Sequence, residues 1–198
     1  MKYMMVLTII FVSGCASTAN LSRENHTLKK YLLRSAEKAQ LAKMNPVAVT
    51  GIGAVTVASY IDGLGLVLET AEGEVQEARD HQWAEPLRES LRAFLALEIS
   101  ENTQQVIRSK YYGETNWQKR IDVRIDELHG TSEGEARLVA YWQIFDTEQR
   151  LVLSHNGFEE LVALNHNGYG ALVEAETTLL KSLAAAIAVS LNILPDVK

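Results

Sequence analysis

The only cysteine in the 198 residues, Cys15, stands where its thiol could take a covalent group. It follows an apolar run from Met4 to Val12 that only Thr8 interrupts, and Lys2 makes the start of the chain positive. The run is too short to cross a bilayer as a helix, because that takes about 20 apolar residues. Its length is typical of the hydrophobic region of a signal peptide, which predicts export and processing near the cysteine.

Val12-Ser13-Gly14-Cys15 resembles the bacterial lipoprotein signal, in which the thiol receives a diacylglyceryl group, cleavage precedes the cysteine and the freed amine is acylated. Residues 1–14 are then a cleaved signal peptide, and the N-acyl and S-diacylglyceryl groups on Cys15 attach the chain to a membrane; we expect no other cofactor. Each buried methylene contributes about 0.8 kcal/mol, so several acyl chains give stable attachment. In the proteobacterial lipoproteins that this signal resembles, a residue other than aspartate after the cysteine, here Ala16, favours release to the outer membrane, so we expect the periplasmic face of the outer membrane of a Gram-negative bacterium.

The alternative at this position is an ordinary secretory signal with an incidental cysteine. That interpretation would leave an unpaired thiol in an oxidising compartment, which is a liability for a secreted protein.

Other residues that could do chemistry are few and lack the spacing of known sites. His129 follows Asp126 and Glu127, but no pair of histidines has metal-ligand spacing and no G-x-S-x-G motif is present. We expect His129 to be a turn residue at a strand end. Residues 51–56, "GIGAVT", nearly match the dinucleotide fingerprint but lack its third glycine and the following helix, which favours a bulged strand. The sequence therefore predicts no enzyme, with a periplasmic hydrolase or a metal site built in three dimensions as open alternatives.

The formal net charge is -6, and it becomes -7 when Lys2 is removed with the signal. A mildly acidic chain with scattered positive charges provides no footprint for nucleic acid and no polybasic stripe for lipid headgroups. We therefore expect membrane contact through the lipid anchor alone. Without a second cysteine the fold must be stabilised by packing.

The segments after Cys15 predict how the chain is organised. Residues 16–25 are small and polar, so 15–26 should form a lipidated, flexible tether. The next segment, "HTLKKYLLRSAEKAQLAKM", has a helical composition, and a strand through Tyr31 to Arg34 is the competing interpretation. Further strands are predicted in "VAVTGIGAVTVASYI", "LGLVLET", "GEVQEAR" and "TQQVIRSKY".

Two helices and a meander complete the predicted domain. One helix begins at Pro86 and buries Leu87, Leu91, Phe94 and Leu95; the other runs from about Tyr169 to Leu191 and buries Leu172, Leu179, Leu183, Ile187 and Leu191. Between them, "RIDVRIDELHG", "EARLVAYWQIFD" and "RLVLSHNGFEEL" alternate as strands with one wet face. We expect a single α+β domain over residues 27–198, in which two long helices pack on one face of an antiparallel sheet.

In order and spacing these elements resemble the ABC-type transport auxiliary lipoprotein family, from about Val47 to Pro195. The resemblance includes "VTV" leading to Tyr60-Ile61, "WAEPL" at the helix start, "DELHG" at the end of a strand and Gly168-Tyr169 before the last helix. Ala58-Ser59 departs from the family, which often has proline before the tyrosine. The resemblance also implies a strand in "KKYLLRS".

The resemblance implies a role without catalysis. Family members accompany an ABC transporter system that carries an MCE protein, and are thought to help move phospholipid or other hydrophobic cargo between two membranes. The expected partners are an MCE-domain periplasmic protein and its ABC-type or permease partners. An anchored acidic domain with a solvated sheet face is typical of a docking module, and the sequence does not indicate which surface binds the partner. A lipid carrier with a cavity lined by Tyr141, Trp142, Phe145 and Phe158 is an alternative. Self-association into a ring is compatible with the alternating charges of Asp122, Arg124 and Asp126.

Overall fold

The computed structural model describes residues 27–35, 45–71, 73–109 and 117–194. The signal peptide, Cys15 and the tether lie outside the described residues. The elements follow in the order β1 (Lys29–Tyr31), β2 (Asn45–Val57), a 3-10 turn (Ser59–Ile61), β3 (Gly65–Ala71), β4 (Glu74–Trp83), α1 (Leu87–Thr103), β5 (Gln105–Ser109), β6 (Lys119–Gly130), β7 (Glu135–Asp146), β8 (Leu151–Ala163) and α2 (Tyr169–Asn192). Among these residues no helix has the length and hydropathy needed to cross a bilayer.

The eight strands form one sheet with β6 at its centre. β6 pairs with β7 along one side, while on the other side β2 pairs with its first half and β3 meets it at Gly130. β8 continues the sheet beyond β7, β5 lies beyond β2, and β4 and β1 lie beyond β3. The single α+β domain is thus confirmed.

The sheet is mixed, which corrects the expectation of an antiparallel sheet. The meander of β6, β7 and β8 is antiparallel as predicted, and so is the β3–β4 hairpin. β2 instead runs parallel to both β5 and β6, and β1 runs parallel to β4. Parallel neighbours need a crossover, and α1 lies in the long connection between β2 and β5. Alternation within a strand reports which face is buried and does not report the direction of the neighbour.

Both helices cover the same face of the sheet, which we call the inner face. α2 packs on β7 and β8, α1 packs on β2 and β5, and the two helices contact each other. The residues predicted to face the core from α1 and α2 are all buried, as are Ala184 and Ala188 of the alanine-rich stretch. Their small side chains allow the helix backbone to approach its neighbours closely.

Two glycines of "GIGAVT" make room for larger side chains on the other face of β2. A Cβ atom at Gly51 would run into the ring of Trp117, and one at Gly53 would run into the Asp122 and Arg120 side chains. The register of β2 against β6 shifts between Ile52 and Val55. The bulged strand is confirmed, and packing explains the glycines without a phosphate.

β1 confirms the strand interpretation of the segment that follows the tether. It pairs with β4 over Lys29–Tyr31, and Leu33 is buried in the core. The tyrosine hydroxyl of Tyr31 hydrogen-bonds to His81 Nδ1 at 2.8 Å, and the His81 ring stacks between Tyr31 and Tyr169. The competing helix would include residues 36–44, which lie outside the described residues.

Replacing Gly51 with alanine should destabilise the domain. Overpacking against Trp117 costs about 1–3 kcal/mol, which chemical denaturation followed by circular dichroism can measure. Gly170→Ala is the matched control, because a Cβ there meets no atom within 4 Å and alanine is the better helix former. Equal stability of the Gly51→Ala variant and the unmodified protein would contradict this packing.

Glu176 on α2 should make the stability of the domain depend on pH. Its side chain is 1% exposed, and Oε2 has no hydrogen-bond partner among the described residues. Burial raises the pKa of Glu176 to about 8 from 4.5, so the folded state keeps a proton that the unfolded chain releases. This carboxyl therefore lowers the free energy of unfolding progressively as the pH rises from about 4.5 to about 8, by an amount on the order of 3–5 kcal/mol.

Glu176→Gln should accordingly be more stable than the unmodified protein at pH 8 and nearly equal to it at pH 4.5. Thermal or urea unfolding across this range measures the difference. Glu174→Gln, on the exposed side of the same helix, controls for loss of a charge and should show no such dependence. A constant difference between Glu176→Gln and the unmodified protein at all pH values would show that Glu176 does not titrate in this way.

Candidate docking face of the sheet

The face of β2, β6, β7 and β8 opposite the helices carries the polar residues, and we call it the outer face. Along β6 the apolar Ile121, Val123 and Ile125 are buried on the inner side. Asp122 and Arg124 point to the outer side, as predicted from their alternation. No described helix covers this face, so its side chains are available to a partner.

The charges on β6 are paired along the strand. Arg120 Nη2 lies 2.9 Å from Asp122 Oδ2, and Arg124 Nε lies 2.6 Å from Asp126 Oδ1. Exposed pairs of this kind contribute only about 0–1 kcal/mol to stability. Their consequence is that the face presents charge in a fixed arrangement.

Asp122 also ties three strands together. Besides Arg120 it accepts hydrogen bonds from the backbone amide of Ala54 in β2, at 3.0 Å, and from Gln143 Nε2 in β7, at 3.2 Å. The Ala54 amide belongs to the irregular part of β2, where the ladder leaves an amide without a strand partner. Asp122 is therefore a structural residue of this face.

Tyr141 provides the large apolar surface in the middle of the outer face. Its ring is 44% exposed and lies over Gly157, its register partner on β8. Beside it runs an open groove of about 490 Å³. The side chains that line this groove include Thr56, Arg124, Asp126, Tyr141, Gln143 and His155. An aromatic ring with an adjacent guanidinium is typical of the residues that anchor protein interfaces.

A second charged group joins β6, β7 and β8 near the 130–134 hairpin. Arg137 donates to the Glu127 carboxylate through Nε and to Glu159 Oε1 through Nη2, the latter at 2.8 Å. The hydrogen bond to Glu127 raises the pKa of Arg137 above its ordinary value. This group fixes the relative positions of the three strands on the outer face.

His129 is a buried strand residue, so its prediction as a turn residue is wrong. Its Nδ1 lies 3.1 Å from the Gly130 carbonyl oxygen, and its Nε2 lies 3.6 Å from Glu127 Oε2. The ring of Tyr60 packs edge-on against it, and burial raises the pKa of Tyr60 to about 12. A register shift between Ile125 and Glu127 reverses the alternation at the end of β6, so Leu128 enters the core. His129 then lies on the side of Glu127 and Arg137, which the sequence pattern did not reveal.

The two candidate histidines, His129 and His155, are not brought together in the described part of the chain. His155 lies on the outer face at the groove, apart from His129. Across the described ranges no group of three histidine, cysteine, aspartate or glutamate side chains could hold a metal ion.

The four aromatic residues considered for a lipid cavity lie on different faces. Tyr141 and Phe145 are on the outer side, where the Arg120 guanidinium lies 4.8 Å from the Phe145 ring centre. Trp142 is buried on the inner side, and Phe158 packs against the core. Adjacent positions on a strand point in opposite directions, so these residues do not line one cavity.

Sequence reasoning missed Gln143, Arg137 and the Ala54 amide as parts of the outer face. The alternation in "EARLVAYWQIFD" could have indicated Arg137, Tyr141 and Gln143, which share one side of β7. No sequence pattern could have indicated the Ala54 amide, because its hydrogen bond to Asp122 depends on the bulge in β2.

Comparison with known proteins identifies relatives that cover most of the chain. Intermembrane transport lipoprotein PqiC of Escherichia coli (strain K12) is 24% identical over 170 residues, which cover 81% of this chain and 87% of PqiC. The protein of the same name from Shigella flexneri matches equally well. A crystal structure of an uncharacterized protein has a TM-score of 0.70 at 23% identity, covering 83% of this chain and 99% of that chain.

A structure from Xanthomonas campestris shares the fold at lower similarity. Its TM-score is 0.62 at 12% identity, with 75% of this chain and 92% of that chain covered. The model of the ABC-type transport auxiliary lipoprotein component family matches residues 31–188, which run from the last residue of β1 through β8 to most of α2. This chain therefore belongs to the ABC-type transport auxiliary lipoprotein family.

Proposed function

We propose that this protein is a non-catalytic accessory component of an intermembrane lipid transport system, and that its outer face binds a periplasmic MCE-domain protein. The observation that carries the proposal is the uncovered outer face. Both helices lie on the inner face, while four strands present fixed charges and the exposed ring of Tyr141 to the other side. A surface of this kind is suited to binding a protein.

Membership of the auxiliary family and the similarity to PqiC support a role beside a transporter. PqiC is described as an intermembrane transport lipoprotein, and we extend that role to this chain together with MCE-domain and ABC-type or permease partners. The polar groups of the outer face support the absence of catalysis. Asp122 and Asp126 are held by arginines, and the carboxylate of Glu127 is held by Arg137.

The proposed attachment is through lipid on Cys15, at the periplasmic face of the outer membrane. It rests on the signal-like sequence before Cys15 and on Ala16 after it. The family is one of lipoproteins, which agrees with an anchored chain.

Cys15→Ala should release the protein from the membrane fraction of cells. Without the thiol no diacylglyceryl group can be added, and the attachment energy of the acyl chains is lost. Fractionation on a density gradient measures the location, and mass spectrometry of the N-terminal peptide measures acylation. Ser17→Ala changes a small residue two positions away and should stay acylated in the outer membrane. An unmodified Cys15 in the mature chain would contradict the anchor.

Tyr141→Ala should weaken recovery of an MCE-domain protein from detergent extracts by at least about tenfold. Truncating an aromatic residue at the centre of an interface typically costs 2 kcal/mol or more. The affinity-purified complex is quantified by mass spectrometry, and thermal unfolding confirms that the variant is folded. Val189→Ala removes an exposed apolar side chain from α2 and should leave recovery unchanged. If the two variants recovered equal amounts of the MCE-domain protein, the Tyr141 groove would be excluded as the docking surface. If the unmodified chain recovered no MCE-domain protein, this partner would be excluded.

A further inference from the structure

Basic residues are concentrated next to the lipid attachment point, contrary to the scattered distribution expected from composition. Residues 15–43 carry six basic and two acidic side chains, whereas residues 44–198 carry 12 basic and 23 acidic ones. The first segment therefore has a net charge of +4, and the rest of the chain has -11. Such asymmetry is typical of chains in which one segment contacts an anionic surface.

β1 places part of this basic segment on the surface of the folded domain. Leu28 and Leu32 are 47% and 56% exposed, and Lys30 is exposed between them on the same side of the chain. Tyr31 and Leu33 point the other way, toward the core. Neither Lys29 nor Lys30 forms an ion pair within the described ranges. Lys29 alternates to the side of Tyr31, but it is exposed at the edge of the sheet. We call Leu28, Lys30 and Leu32, together with this edge lysine, the β1 strip.

The β1 strip is fixed to the body of the domain. His81 of β4 stacks on Tyr31 at 5.9 Å and on Tyr169 at 4.2 Å between ring centres. A few residues on, Arg34 Nη2 lies 2.5 Å from Glu85 Oε1. Any surface that the strip contacts therefore orients the whole domain.

Two acidic residues of the neighbouring strand, Glu77 and Asp80, have other partners. Glu77 Oε1 accepts a hydrogen bond from the Gly65 amide at 2.8 Å, and Asp80 also has an interaction partner. Neither carboxylate forms an ion pair with Lys29 or Lys30 among the described residues, so the two ammonium groups can bind other anions.

The length of the intervening chain keeps the strip close to the anchored membrane. Thirteen residues from Ala16 to Leu28 span at most about 45 Å when fully extended. A surface held this close acts at a high effective concentration, so even a weak contact is populated.

We propose that the β1 strip lies against the phospholipid surface to which the chain is anchored, with its lysines on anionic headgroups and its leucines at the headgroup boundary. This inference rests on the proposed lipid attachment at Cys15. Lysine side chains suit this arrangement because their stems cover apolar surface while their charges reach the headgroups. The strip and the anchor then give the domain one preferred orientation on the membrane.

The test is a fluorescent label on the lipidated full chain in vesicles of phosphatidylethanolamine and phosphatidylglycerol. Because the lipid blocks the thiol of Cys15, Leu32→Cys supplies the one reactive thiol for an environment-sensitive dye. Val189→Cys is the matched control, since Val189 is 62% exposed and lies about 30 Å along α2 from Tyr169. We expect blue-shifted emission and quenching by brominated lipids at position 32, and neither at position 189.

Charge variants test the contribution of the lysines to the contact separately from that of the leucines. Combining Leu32→Cys with Lys29→Gln and Lys30→Gln should weaken the contact with the vesicles about fivefold for each lysine removed. High salt should also weaken this contact, because it screens the attraction between the lysines and the headgroups. If emission and quenching at position 32 stayed the same in this variant, the role of the lysines would be overturned. Equal emission and quenching at positions 32 and 189 would overturn the strip, while flotation of the chain with the vesicles would still support the anchor. A chain that does not float would overturn both, and docking to an MCE-domain protein is measured independently.

Discussion

The strand β6 is the element on which the other parts of the structure depend, because three strands pair with it and its side chains must serve two faces. Ile121, Val123 and Ile125 point into the core beneath the helices. The same alternation forces Asp122 and Arg124 onto the opposite face. The apolar core and the polar outer face are thus two consequences of one strand, and neither can be moved without moving the other.

The outer face gains a definite shape from contacts that contribute little to stability individually. Asp122 joins β2, β6 and β7, and Arg137 joins β6, β7 and β8. Gly51, Gly53 and Gly157 leave space in which Trp117, Arg120 and Tyr141 can lie across the strands. A partner would therefore meet a surface whose side chains are already positioned, which reduces the entropy lost on binding.

The domain also has two ends of different character. At one end β1 follows the proposed anchor and is locked to the start of α2 by the stack of Tyr31, His81 and Tyr169. At the other end α2 terminates with Val189 and Ile193 exposed. The uncovered sheet lies between these ends, and a chain oriented by its β1 strip would present the sheet to partners in a constant direction.

The sequence by itself determined much of this protein. The apolar run and small residues before Cys15 indicate an attachment point, and the spacing of Leu87, Leu91, Phe94 and Leu95 predicted α1. Alternation over residues 120–126 identified the buried and wet sides of that part of β6, because this property depends only on neighbours along the chain.

Only the tertiary structure decided what depends on residues distant in sequence. It placed β2 parallel to both of its neighbours, shifted the register of β6 so that His129 lies beside Arg137, and gave Asp122 the Ala54 amide as a partner. It also placed Tyr141 over Gly157 and fixed β1 against β4 despite its helical composition. Strand pairing, bulges and aromatic stacking are contacts between separate segments, so local pattern and propensity cannot specify them.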